Sequence, residues 1–184
     1  MSIQKNKTQI KKQKIFEVAL KLFFEQGYSG TTIEDIRKKS GVSVGSLYHH
    51  FSNKEILADQ LYLSVVEAFC TKGIKSITDS KSPKDLIENW ITFHFNWFQK
   101  GKKAAHFMMS HQIKTLGILQ QNTLIKIQEK FFFQFSQNLE EANSQESLNV
   151  TDPSLFFFIL IGPTESFSRI WLLQEIPQAL DQTQ

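Results

Sequence analysis

Thr31-Thr32-Ile33-Glu34-Asp35-Ile36-Arg37-Lys38-Lys39-Ser40-Gly41-Val42-Ser43-Val44-Gly45-Ser46-Leu47-Tyr48-His49 is the stretch that decides the fold. Either threonine supplies a helix N-cap with an acid three residues later, the spacing of a capping box. Gly41 follows Ser40 and ends that short helix. Ser43 then caps another short helix, running to about Tyr48 or His49. Two short helices on a tight Gly-containing turn, after a longer helix, are the parts of a helix-turn-helix. Val42 and Leu47 can face inward, which leaves Ser43, Gly45, Ser46 and His49 outward. A short helix with small or polar outward side chains can enter a DNA major groove closely.

Working outward, residues 1–8 are polar and Lys-rich and read as a loose arm. From about Lys11 to Gln26, Ile15, Val18, Ala19, Leu22 and Phe23 recur at helical spacing, and Gly27 stops that helix. Ser52-Asn53-Lys54-Glu55 is a further capping box, opening a long helix through Leu57, Leu61, Val65 and Phe69. Lys54 in its first turn opposes the helix dipole, which suits a phosphate contact better than stability. The helix starts at Thr31/Thr32 and Ser52 can offer backbone N–H groups to phosphates.

A polar stretch, Ser76 to Ser82, separates this head from a second helical region. Pro83 fits the first position of a helix carrying Leu86, Trp90, Phe93 and Trp97 and ending near Gly101. Residues 103–120 read as one or two shorter helices, Leu119 to Leu139 as a long one and Glu140 to Val150 as a polar loop. Asp152-Pro153 starts a last helix through Leu173, which Gly162-Pro163 should kink or split. No alternating strand pattern is evident, so the chain reads as all-α, with an N-terminal three-helix head and a larger helical C-terminal domain.

Charge follows the same division. Residues 1–51 carry nine Lys/Arg and four Asp/Glu, a net +5, while the remainder of the 184 residues carries −2. A basic head on a near-neutral body suggests a polyanion partner. The single cysteine, Cys70, excludes an internal disulfide framework, and a packed thiol is its expected role. No secretory signal follows Met1, and the longest apolar run, Leu155 to Ile161, falls far short of the roughly 20 residues of a membrane span. A cytoplasmic protein with no membrane partner is the expectation.

The stretch from Gly27-Tyr28-Ser29-Gly30 through His49-His50-Phe51-Ser52-Asn53-Lys54-Glu55-Ile56-Leu57 closely resembles the DNA-binding domain of TetR/AcrR-family transcriptional regulators. The resemblance covers about residues 9–69, with the helix-turn-helix at 32–51; beyond it, only helical layout and length are similar. It implies a homodimeric repressor of double-stranded operator DNA whose C-terminal domain, residues 77–180, binds a small molecule. Carried over by position, Thr32, Ser43, Tyr48 and Lys54 would contact phosphates, and Val44, Gly45, Ser46 and His49 would face the groove. Arg37 stands where the family usually has Ala, so it must snorkel or reach a phosphate. Val44 stands where the family often has Lys or Arg; it loses a cationic contact and could instead touch a thymine methyl.

Other chemistry finds less support. Gly41-Val42-Ser43-Val44-Gly45 spells the G-x-S-x-G nucleophile elbow, but that motif needs a buried strand before it. The polar helix end Ile36 to Ser40 stands there instead, so no enzyme is expected. His94, His106 and His111 lack metal-ligand spacing, and neither a metal nor a cofactor is implied. Trp90, Phe93 and Trp97 form one helical stripe with His94 at its edge, and Phe107, Met108 and His111 lie nearby in sequence. These could line a cavity for a flat or flexible apolar or aromatic ligand, with solid core as the alternative. Phe131-Phe132-Phe133 and Phe156-Phe157-Phe158 suit core or a dimer interface built from residues 119–139 and 153–174. The alternative function is a helical interaction module, or a ligand-binding protein or enzyme on the same scaffold, without specific DNA binding; retention on heparin with a steep salt slope would separate the readings.

Overall fold

In the computed structural model of the chain, residues 3–111, 116–145 and 152–172 are described. Among them the secondary structure is entirely helical: α1 (Ile3–Gln26), α2 (Ile33–Ser40), α3 (Val44–His50), α4 (Lys54–Ile77), α5 (Pro83–Lys100), α6 (Lys102–Ser110), α7 (Ile118–Gln145) and α8 (Pro153–Leu172).

The head is built by local rules. Gly27 closes α1 at φ 75° and Gly41 closes α2 at φ 66°, both in the left-handed region that glycine tolerates. Thr32, not Thr31, is the cap of α2: its side chain accepts from the Asp35 N–H, and the Asp35 carboxylate accepts from the Thr32 N–H at 3.0 Å. That bonding holds the Asp35 carboxyl below its usual range. Ser43 caps α3, its Oγ accepting from the Ser46 N–H at 3.2 Å. Asn53 caps α4 through the Ile56 N–H at 2.8 Å, a correction to the box opened at Ser52. Ile15, Leu22, Ile36, Leu47, Phe51 and Leu57 close a core between α1, α2, α3 and α4.

Four boundaries differ from expectation. The N-terminal arm is helical from Ile3, because Lys and Gln propagate a helix well. α4 runs to Ile77, so it leaves the head as one rod and enters the body, where Phe69, Cys70, Ile74 and Ile77 are buried. α7 continues to Gln145, its Ala142 buried where a polar loop was expected. α8 passes unbroken through Gly162-Pro163. The proline ring leaves the Ile159 carbonyl without its partner, but Ile159 is on the exposed face, where water can serve it. Thr164 Oγ1 donates to the Leu160 and Ile161 carbonyls one turn back. The expected helix end at Leu173 and the loop end at Val150 lie outside the described residues.

α4 is the axis of the body, packed by α5, α6 and α7, with α8 across α5, α6 and α7. Gly73 allows α5 its close approach: a Cβ there would stand 2.8 Å from Trp90 Cζ3 and 3.0 Å from Phe93 Cε1. α1 and α6 tie head to body, with Phe23 stacked on Phe107 at 5.5 Å and Phe24 edge-on to His106. With 20 residues and a mean hydropathy of 1.3, α8 is long and apolar enough to cross a membrane, unlike the short run read from the sequence. Its second half nevertheless carries Thr164 and Ser168, which are buried, and Glu165 and Arg169, exposed residues at the cavity wall.

Candidate nucleic-acid interface and ligand cavity

The second helix of the helix-turn-helix, α3, presents the face that sequence assigned to the groove. Leu47 is fully buried and Val42 nearly so, while Ser43, Val44, Gly45, Tyr48 and His49 are exposed and Ser46 is half-buried. A Cβ on Gly45 would meet nothing within 4 Å, so open space lies above the first turn of α3. The Tyr48 hydroxyl has no hydrogen-bond partner among the described residues.

Three expected phosphate contacts have other work within the protein. The Thr32 hydroxyl and N–H are both engaged by Asp35. Arg37 neither snorkels freely nor stands unpaired: Nε and Nη2 each donate to the Glu34 carboxylate at 2.7 Å, and Nη1 reaches the Val42 carbonyl across the turn at 3.5 Å. This fork holds the Glu34 carboxyl below its usual range. Lys54 Nζ donates to the Tyr28 and Thr31 carbonyls, each at 2.9 Å, and sits 4.2 Å from the Tyr28 ring centroid. The lysine thus locks the α1–α2 turn to the start of α4. Burial, and then Glu55 beside it, push the Tyr28 phenol pKa up.

A cavity of about 1080 Å³ opens in the body, but not where the aromatic stripe placed it. Its walls are Tyr62, Val66, Phe69 and Cys70 of α4, Met108 to Ser110 of α6 with His111 after it, Leu124, Gln128, Glu129, Phe131 and Phe132 of α7, and Phe157, Phe158, Ile161, Gly162, Glu165 and Arg169 of α8. Of the expected ligand residues only Met108 and His111 are there. Trp90 and His94 are wholly buried, and Trp90, Phe93, His94 and Trp97 all meet Phe69 ring to ring. Trp90 and His94 are core, with Phe93 and Trp97 half-buried against it, because Phe69 of α4 fills the space in front of the stripe. Phe107 is likewise buried, between Phe23 and the His111 ring.

Sequence reasoning missed Tyr62, Glu165 and Arg169. The available signal was Glu165 and Arg169 four residues apart in an otherwise apolar helix, since such a pair shares one face. Burial pushes the Cys70 thiol to about 12, so it stays protonated. His111 Nε2 lies 3.3 Å from Asp59 Oδ1, which fixes that ring at the cavity wall. His94 bonds Ser168, and His106 packs on Phe24, so the three histidines occupy separate places.

A helix-turn-helix head is thus joined by one rod to a cavity-bearing helical body. The profile of the bacterial regulatory proteins of the tetR family matches residues 15–61. YhgD, a helix-turn-helix-type transcriptional regulator of Bacillus subtilis, is 26% identical over 161 residues, 82% of this chain and 78% of that one. IcaR, the negative regulator of the biofilm operon icaADBC in Staphylococcus epidermidis, is 45% identical over 85 residues, so the chain spans only 46% of its length. The Bacillus subtilis regulator FadR, solved in complex with stearoyl-CoA, superposes with a TM-score of 0.72 at 20% identity, over 89% of this chain and 88% of that one. Residues 15–61 are thus similar to the head of the tetR family of bacterial regulatory proteins, and the chain as a whole is similar to a helix-turn-helix-type transcriptional regulator.

Proposed function

We propose that this protein is a cytoplasmic, homodimeric repressor that holds a pseudo-palindromic operator through two copies of α3. A small ligand with an apolar or aromatic body, seated in the cavity, releases it. The observation that carries this reading is the continuity of α4. Its first turn is bonded to the α1–α2 turn through Lys54, and about two to four turns further along the same rod it walls the cavity with Tyr62, Val66, Phe69 and Cys70. A ligand that favours a different tilt of α4 changes the spacing of the two heads, and with it the fit to half-sites about one helical turn apart.

Support for the DNA partner comes from the exposed face of α3 and the basic head. Ser43, Val44, Gly45, Ser46, Tyr48 and His49 are assigned to groove and backbone, with Lys54 and Thr32 at phosphates only at the edge of their structural roles. Arg37 serves mainly to brace the turn. The domain boundaries follow: residues 9–69 as the DNA-binding head, and residues 77–180 as the ligand-binding and dimerisation domain. Support for the dimer comes from an unpartnered apolar surface on α7 and α8. There Phe133, Leu155, Phe158 and Ile159 are each about 60% exposed or more, which a soluble chain covers with a second copy. Support for an elongated apolar effector comes from the cavity's size and its rings, and from the FadR likeness.

The test is selection of bound duplexes from a random pool by the full chain. The expected product is an inverted repeat whose complex dissociates when a lipophilic compound is added. Phe158→Glu should convert the protein to a monomer in sedimentation and abolish that selection. Recovery of no common sequence, or operator binding by a monomer, overturns the reading.

A further inference from the structure

Glu165 of α8 reaches the cavity wall, and Tyr62 and Cys70 of α4 are close enough for its charge to act on theirs. No hydrogen bond or ion pair engages its carboxyl among the described residues. Arg169, one turn along the same helix, is the only Lys or Arg on the wall among the described residues, and its Nη1 donates to the Met109 carbonyl at 3.1 Å. Glu129, exposed like Glu165, stands at the α7 rim as a second carboxylate. His111 is held by Asp59, itself an acid. The remaining wall is mainly aromatic and aliphatic, including Phe69, Phe131 and Phe157.

An anionic head group entering this space meets two carboxylates and one engaged guanidinium. A cationic head meets an unpaired carboxylate and ring faces, and aromatic faces attract cations through their quadrupoles. We propose that the cavity selects lipophilic cations, an apolar or aromatic body bearing one amine whose ammonium pairs with Glu165. This rests on the reading of the cavity as the effector site.

A consequence is proton release. The surrounding protein desolvates the Glu165 carboxyl and raises its pKa above the usual carboxylate value, and the nearby Arg169 only partly offsets this. The facing groups are Tyr62, Cys70, Arg169, Glu129 and the His111–Asp59 pair. An arriving ammonium stabilises the ionised form, so a proton leaves as the ligand binds and affinity rises with pH through the raised pKa.

The experiment uses the full chain loaded with the neutral dye Nile red and displaced by decylamine, decanol or decanoate near neutral pH. Decylamine should displace the dye at concentrations about ten-fold below decanoate, a difference of about 1.4 kcal/mol. Glu165→Gln should bring decylamine to the level of decanol, with decanol itself unchanged. Decanoate matching decylamine, or a Glu165→Gln protein that keeps the amine preference, overturns the charge assignment and leaves the cavity reading standing. Failure of Nile red and all three decyl compounds to bind overturns the cavity reading, and this inference with it.

Discussion

His94 Nε2 lies 2.8 Å from Ser168 Oγ, a bond between α5 and α8 in which the histidine is wholly and the serine almost wholly buried. The ring is stacked on Phe98 with centroids 4.5 Å apart. Desolvation lowers the His94 pKa to about 4, against a small opposing pull from the Thr164 backbone. The folded protein therefore keeps His94 neutral where an unfolded chain, titrating near 6.5, would already be charged.

The sign of the pH dependence follows. This histidine's contribution is fully present above about pH 6.5 and is lost as pH falls toward about 4, with an upper limit of about 3 kcal/mol. Thermal melts of the wild type between those pH values should show a decline in stability that His94→Phe largely lacks, whatever that variant's baseline. Parallel pH profiles for the two proteins would show that the ring is solvated.

Gly73 makes a second, purely steric prediction. Trp90, against which its missing Cβ would press, is itself fully buried and has no room to retreat. Gly73→Ala gains about 1 kcal/mol of helix propensity but overpacks the α4–α5 contact at a cost of about 1–3 kcal/mol. A net loss of about 1–2 kcal/mol is expected, lowering Tm by several degrees in a chain of this size. A stabilised variant would mean that the two helices part readily there.

Legibility from sequence was greatest where structure is local. The cap at Ser43, a cap at one of Thr31 and Thr32, the glycine stops and the inward pair Val42 and Leu47 depend on neighbours a few residues away, and these were readable. The cavity depends on four helices drawn from residues 62 to 169, so periodicity could show that Trp90, Phe93 and Trp97 share a face but not that Phe69 fills the space before it. For the same reason the roles of Lys54 and Arg37 were only half visible. Their positive charge is written in the sequence, whereas the carbonyls and the carboxylate that engage them are set by the folded turn.

Lys54 can be divided into its two roles. Lys54→Met removes two charge-assisted bonds to the Tyr28 and Thr31 carbonyls, and Thr31 is fully buried. A stability loss of about 1–2 kcal/mol is expected in denaturant unfolding. If the same ammonium also serves a phosphate, the slope of log K against log salt for duplex binding should flatten by about one unit. A fallen stability with an unchanged slope would confine Lys54 to bracing the turn.

Gly45 tests the docking face with the least disturbance of the fold. It lies in the first turn of α3, exposed between Val44 and Ser46, with nothing within 4 Å of where a Cβ would stand and a φ that any L residue adopts. Gly45→Leu should therefore fold as well as the wild type, with up to about 1 kcal/mol gained because leucine suits a helix better than glycine. In the proposed docking, the same side chain would stand at the closest point of approach between the short helix and the groove floor. The bases cannot recede, so the helix must withdraw and the flanking contacts of Ser46 and His49 lengthen together. Operator affinity should fall by about 100-fold or more, the worth of two or three lost base contacts at about 1–3 kcal/mol each. Weak binding to unrelated duplexes, which needs only phosphates, should fall far less. A folded Gly45→Leu protein with wild-type operator affinity would move the DNA to another face of the head.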